Sequence, residues 1–183
     1  MVSAIESRAL SLLKLLLNNF ENELKEALKY EDGLKLPKIE LEGKIIYPNM
    51  AKEFIALFDK KGFYTNQKCF IVTLNKPNED EYLYLTAFLN SKANFWYFKQ
   101  IGATLGATGY EMSKIFVEKL PIPKPTFKSQ ALVIQIASLT REILKSKEKD
   151  EDTQKLESEV DSLVYRLYGL SPEERAFIEN QML

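Results

Sequence analysis

Three of the seven glycines in the chain lie within eight residues, Gly102, Gly106 and Gly109, in the stretch QIGATLGATGY. Glycine-rich loops can bring backbone N–H groups against phosphate, so the chemistry to test first is nucleotide binding. The spelling argues against it. The ATPase phosphate loop closes on Gly-Lys-Ser/Thr, whereas Gly106 is followed by Ala107 and Thr108, and Gly102 to Gly106 lacks the G-x-G spacing of a dinucleotide turn. A nucleotide-binding enzyme would need a phosphate-sized nest at the start of a helix after Gly109. The alternative is a flexible surface loop.

Other catalytic chemistry is thinly represented. The chain has no histidine, which excludes Ser-His-Asp and Cys-His catalysis, His-ligated zinc and the commonest general base near neutral pH. Cys69 is the only cysteine, so there is neither an internal disulfide nor a Cys-rich zinc site, and a reducing compartment is indicated. Glu23-Leu24-Lys25 has the spelling of a metal-nuclease pair, but it sits in an amphipathic pattern with no aspartate shortly before it. The acids Glu79, Asp80 and Glu81 suit the first turn of a helix better than a cation. Neither YPNM nor LPIP is the Asn/Asp-Pro-Pro-aromatic motif of adenine methylation. No catalytic residue, metal site or cofactor is therefore assigned to this chain.

Local charge says more than the net value of −1. Between Thr86 and Lys128, six lysines (Lys92, Lys99, Lys114, Lys119, Lys124, Lys128) face only Glu111 and Glu118, a net +4. From Glu148 to the end, ten acids face four bases. The glycine loop thus lies in the most basic part of the chain. Lysines there would neutralise phosphates, glycines would permit close approach, and Thr104, Thr108 and Tyr110 could reach base edges. A solvated basic face is the bland counterpart of that reading.

The elements that must hold this loop can be placed from periodicity. Leu13, Leu17, Phe20, Leu24 and Leu28 recur at helical spacing within an amphipathic helix over Ile5–Tyr30, broken by Gly33 and Pro37. The chain begins almost inside that helix, which suggests a longer parent. Short β-rich runs follow, KIELEGKIIYP, GFYTN and KCFIVTLN, with NMAKEFIALF between them as a short helix or an extended segment. YLYLTAFLN is a helix that begins near Asp80 and Glu81. Asn90-Ser91 offers an N-cap to a second, KANFWYFKQI, which stops at Gly102. Its four consecutive aromatics, Phe95 to Phe98, cannot all face one core, and packing between the helix pair and a sheet is the simplest use for them. After the loop, MSKIFVEKL leads into the proline-rich exit PIPKP. Leu132, Ile136, Leu139 and Ile143, then Leu156, Val160, Leu163 and Leu167, form two seams stepping by four, three, four, the pattern of an antiparallel helical hairpin. Gly169 ends the second helix, and Ser171-Pro172-Glu173-Glu174 starts a short last one with a capping box. No run reaches the roughly 20 apolar residues of a membrane span, and LSLLKLLLNNF is followed by no small-residue cleavage site that would make it a secretory signal, so the cytoplasm is expected.

In this order of segments, KIIYPNMAKEF, GFYTNQKCFIVT and YLYLTAFLNSKANFWYFKQIGATLGATGYEMSKIFVEKLPIPKP together resemble the C-terminal target-recognition (specificity) domain of TaqI-like adenine DNA methyltransferases. The likeness is strongest to the type IIG enzymes, in which endonuclease, N6-adenine methyltransferase and recognition domain share one polypeptide. It runs from about residue 44 to 179, with a looser echo in LLNNFENELKEALK, and ESEVDSLVYRLYGLSPEE is similar to the helix that closes those proteins. A more distant similarity leads to the specificity subunits of type I restriction systems. Relatives usually carry a longer segment, often with a tryptophan, before the IIYP strand. Here only YEDGLKLPKIELEG fills that place, so contacts made from it are not carried over.

The resemblance implies sequence-specific recognition of double-stranded DNA for a type II restriction-modification enzyme. S-adenosylmethionine, and magnesium for cleavage, would belong to a parent enzyme whose methyltransferase domain precedes Met1. The fold expected is α+β: a small twisted mixed or antiparallel sheet from residues near 38–75 and 116–124, packed helices, and the C-terminal antiparallel hairpin. Three units are expected: a connecting helix at 1–37, a DNA target-recognition domain at 38–128, and the hairpin with its terminal helix at 129–183. Candidate DNA contacts are Thr65, Asn66, Gln67 and Lys68 after the GFYTN turn, and Lys99, Thr104, Gly106, Thr108, Tyr110 and Lys114 around the glycine loop. A protein-interaction module that docks a partner on the hairpin is the competing class.

Overall fold

The run KIIYP is apolar on both faces, as a strand covered on both sides must be. In the computed structural model, which describes residues 43–75 and 78–182, it becomes β1 (Lys44–Pro48), with Ile45 and Ile46 fully buried. The helix expected over Ile5–Tyr30, the Glu23–Lys25 triplet, the break at Gly33–Pro37 and the strand start at Lys38 lie outside the described residues. β1 is the centre of an antiparallel sheet, with β3 (Leu57–Asp59) on one side and β4 (Cys69–Val72) on the other. A second antiparallel sheet has β6 (Tyr110–Glu111) between β2 (Met50–Ala51) and β5 (Ala103–Thr104). Only Asn49 separates β1 from β2, so the chain crosses from one sheet to the other through a single residue.

Two expectations about the sheet need correction. GFYTN forms no strand, because Asp59 captures its backbone donors: the carboxylate accepts from the amides of Lys61, Gly62 and Phe63 at 2.8, 3.1 and 2.8 Å. The turn so formed leaves no free ladder. Residues 116–124 also contribute no strand. The four-residue helix α3 (Lys114–Val117) takes the start of that stretch, and Pro121 and Pro123 lack the N–H groups a ladder needs. The glycine loop supplies strands instead.

α1 (Glu79–Asn90) opens with a reciprocal capping box between Asn78 and Glu81. Tyr82 to Leu89 are all buried, as in a helix enclosed on every side. Phe58 stacks on Tyr82 at 5.1 Å from the sheet side, and α4 (Gln130–Glu148) packs along the other flank. Lys60 and Arg141 engage the first-turn acids, with Lys60 at 2.6 Å from Glu79 and Arg141 at 2.6 Å from Asp80. The hydrogen bond from Lys60 holds the Glu79 carboxyl below its ordinary value. The triplet is therefore a charged helix start.

Ser91 caps α2 (Lys92–Ile101), its Oγ accepting from the Asn94 amide. Asn90 has another task. Its Oδ1 accepts from the amide of Ala56 and its Nδ2 donates to the carbonyl of the same residue, both at 2.8 Å, as a neighbouring strand would. Of the consecutive aromatics, Phe95 and Phe98 are buried, and Trp96 meets Phe177 edge-on across 6.3 Å. α4 and α5 (Gln154–Tyr168) form the expected hairpin. Gly169 then takes the left-handed cap, and α6 (Pro172–Gln181) has the Ser171–Glu174 capping box and proline start. The seam residues are buried or half-buried, and α1 covers the α4 side of the hairpin. Among the described residues, no helix is long and apolar enough to cross a membrane.

Asp161 ties α5 to α2, accepting from the Lys92 amide at 2.9 Å and lying 3.5 Å from the Lys92 ammonium. Burial nevertheless pushes its carboxyl up to about 6; Lys92 opposes the shift and Glu157 adds to it. Between roughly pH 4 and 6 the folded form thus holds a proton that the unfolded form has released. The stabilisation is complete below about pH 4 and is lost as pH rises through about 6. Denaturant titrations across this window are expected to show a fall on the order of 2 kcal/mol, and Asp161→Asn is expected to remove it.

Candidate functional site

Asn49 brings the two segments singled out in the sequence onto one framework. Its amide donates to the carbonyl of Lys68 at 2.8 Å, and its carbonyl accepts from the amide of Met112 at 2.8 Å. One bond holds the turn at Thr65–Lys68, the other the strand leaving the glycine loop. Sequence reasoning missed this residue, because the bonds are made by its backbone. The only signal available was an asparagine after Pro48, at the end of an apolar strand.

On the first segment, Asn66 builds the turn. Its Oδ1 accepts from the Lys68 amide at 3.0 Å and its carbonyl from the Cys69 amide at 3.1 Å, a local side-chain bond of the kind that fixes loops. Thr65 is half-buried, whereas Asn66, Gln67 and Lys68 are exposed at the tip. Among the described residues, the Asn66 NH2 group has no hydrogen-bond acceptor.

On the second segment, the glycine loop is a β-hairpin with a one-turn 3-10 helix at its tip, Gly106–Thr108. The three glycines have three separate reasons. At Gly102, a Cβ would meet the ring of Phe98 at 2.6 Å. At Gly106, φ is +63° in open space, a conformation that favours glycine. At Gly109, φ is +118° and a Cβ would fall 2.4 Å from the carbonyl oxygen of Ala51. The amide of Leu105 donates to the Gly109 carbonyl at 2.7 Å, and that of Gly109 to the Gly106 carbonyl at 3.4 Å. These donors are turned inward, and β6 rather than a helix follows Gly109. The nest that a nucleotide-binding enzyme would need is not formed there.

Thr104 and Gly106 lie exposed on this hairpin, and Lys114 is exposed at the start of α3. Thr108 belongs to the tip turn. Tyr110 is half-buried, its ring edge-on to Phe95 at 5.6 Å and to Phe98 at 6.2 Å, so it anchors the hairpin to α2. Lys99 faces a different neighbour. Its ammonium donates to the Gln181 carbonyl at 2.8 Å and lies 5.7 Å from the Phe95 ring, where a cation complements the C-terminal end of α6. Asn49 therefore joins the Thr65–Lys68 turn to the strand that leaves the glycine loop, Thr104 and Tyr110 pair within that hairpin beside Ala51, Lys114 lies two residues beyond Met112, and Lys99 is directed to the end of α6. A cleft of about 930 Å³ opens between Phe54–Ala56 and the α4–α5 hairpin, and none of the candidate contacts lines it.

The arrangement presents the amides of Asn66 and Gln67, the hydroxyl of Thr104 and the ammonium groups of Lys68 and Lys114 at the surface. Such groups can bond to base edges and phosphates without any catalytic chemistry. Residues 9–122 match the family model described as the TaqI-like C-terminal specificity domain.

Proposed function

The chain belongs to the family of TaqI-like C-terminal specificity domains, and we propose that it reads the sequence of double-stranded DNA for a type IIG restriction-modification enzyme with adenine-N6 methyltransferase activity. The observation that carries this reading is the coupling, through Asn49, of the exposed Asn66–Lys68 turn to the glycine-loop hairpin on which Thr104 is exposed. Two turns fixed to one strand can enter a groove in a set register, which sequence readout requires. Asn66 and Gln67 are the side chains for base edges, Thr104 contributes a hydroxyl, and Lys68 and Lys114 meet phosphates. Gly106 permits close approach, and Tyr110 holds the hairpin in place.

Catalysis belongs to the parent enzyme. S-adenosylmethionine and magnesium do not fit the residues described: the amides of Leu105 and Gly109 bond within their own turn, Glu79 and Asp80 are paired with Lys60 and Arg141, and Glu81 accepts from the Asn78 amide. Both groups are assigned to a methyltransferase domain, and in the parent's case a nuclease, N-terminal to this chain. The cytoplasm is the compartment that this role implies.

Binding of the chain to a randomised pool of duplexes, followed by sequencing of the bound fraction, tests the reading. A short enriched motif is expected, and Gln67→Ala is expected to relax one position of it by about 1–3 kcal/mol. Equal retention of every sequence would sink the proposal.

A further inference from the structure

Six lysines made Thr86–Lys128 basic in the sequence, but the fold uses two of them internally. Lys92 faces Asp161 and Lys99 donates to the Gln181 carbonyl. The other four, Lys114, Lys119, Lys124 and Lys128, are exposed, and among the described residues none has an acidic partner within 4.0 Å. All four lie on a single continuous strap, from the start of α3 to the start of α4, with Glu118 as its only acid.

That strap is not a loose coil. Leu120 is buried within it. The hydroxyl of Tyr168 donates to the Pro121 carbonyl at 2.8 Å, and that of Tyr84 to the Pro123 carbonyl at 2.7 Å. Burial pushes the Tyr84 phenol up to about 12 and raises that of Tyr168 as well, so both remain donors. At the far end, Thr126 and Ser129 bond reciprocally, each hydroxyl accepting from the amide of the other at 2.9 and 3.3 Å. Two tyrosines, one apolar anchor and a closed turn thus fix the chain before any ligand arrives, which lowers the entropy cost of using its side chains.

We propose that residues 114–128 form a preorganised phosphate track along the duplex flanking the recognised bases. The proposal rests on the DNA-recognition reading and extends it from Lys114 to three lysines outside the two turns. Lys119 and Lys124 are five residues apart, so at most roughly 17 Å of chain separates them, a span of no more than about five nucleotides on one strand. A repeating polyanion, rather than one small anion, satisfies lysines spread in this way. The strap itself carries four lysines against one acid, a local charge that attracts a polyanion.

The test is the salt dependence of binding by the full chain to a long mixed-sequence duplex, followed by fluorescence anisotropy. Each lysine that neutralises a phosphate contributes about 0.9 to the slope of log K against log salt, or about tenfold in affinity near 0.1 M. The slope of Lys124→Ala/Lys128→Ala is therefore expected to be shallower by about 1.8, and Lys114→Ala/Lys119→Ala should match it. Phe127→Ala and Lys149→Ala should leave it unchanged, since one carries no charge and the other lies on the hairpin turn. Melting temperatures equal to the parent's establish that the variants are folded. An unchanged slope in both strap variants, with a shallower one in Lys68→Ala, would overturn the track and leave DNA recognition standing. Absence of any duplex binding by the parent at low salt would remove both.

Discussion

Gly109→Ala is expected to lower the stability of the fold by about 3 kcal/mol or more, a large part of a typical domain's margin. Two independent strains combine there. With φ at +118° and ψ at −137°, Gly109 occupies backbone space that is almost closed to any residue with a Cβ. The added carbon would also meet three backbone atoms, the oxygen and carbon of Ala51 and the nitrogen of Lys52, at 2.4, 2.7 and 2.9 Å. None of these can rotate aside as a side-chain tip could. Relief requires β6 to withdraw from β2, which breaks the Ala51–Tyr110 and Met50–Glu111 pairs and pulls on the Met112–Asn49 bond. Gly106→Ala offers the contrast. At φ +63° with nothing within 4 Å of the new carbon, it is expected to cost only about 1 kcal/mol. Denaturant unfolding of the two variants checks the ordering, and near-equal losses would show that the hairpin is not pressed against β2. DNA binding should fall with Gly109→Ala beyond what the lost folded fraction explains, because the two turns lose their common frame.

The difference between these glycines shows where sequence reading reaches its limit. Their clustering was visible and suggested a loop that approaches something closely. That something proves to be the protein's own backbone at Ala51 for Gly109 and the Phe98 ring for Gly102. Glycine identity records a need for space or for positive φ, not which neighbour requires it. Strands of two residues cannot display a period of two, so β2, β5 and β6 left no pattern to find. Elements with longer repeats were legible: the α4–α5 hairpin, the Gly169 cap and the Ser171–Glu174 box all stand where spacing and capping residues placed them.

Charge was legible in the same partial way. The sequence located a basic segment, but it could not tell which lysines would be engaged by groups from distant elements. Lys99 shows the gap, since its partner is a carbonyl 82 residues further along the chain. Asn90 shows it again: an asparagine beside a helix boundary reads as a cap, while its amide in fact imitates a strand toward Ala56. What the residues alone could not assign was a task for the loop. Family resemblance proposed one, and the fold then identified Asn49 as the residue that bonds both the Lys68 turn and the strand leaving the loop.

Asp59→Ala is expected to cost about 3–5 kcal/mol, the penalty for stranding one member of a buried ion pair. Asp59 is 3 % exposed and Lys44 8 %, with the ammonium 3.3 Å from the carboxylate and also donating to the Phe63 carbonyl. Removing the carboxylate leaves a buried cation without its counter-charge and three amides, of Lys61, Gly62 and Phe63, without their acceptor. The two losses separate experimentally. Lys44→Met in the same background removes the stranded charge and is expected to recover part of the stability, because apolar replacement of a buried pair is often neutral. It cannot restore the turn, since the amides still lack their acceptor. Full recovery in the double variant would show that the turn bonds contribute little, and no recovery would show that the charge was never stranded. The turn at Lys61–Phe63 leads directly into Thr65–Lys68, so under the proposed function a residual loss is expected to appear as weaker sequence discrimination, even under conditions where the double variant is fully folded.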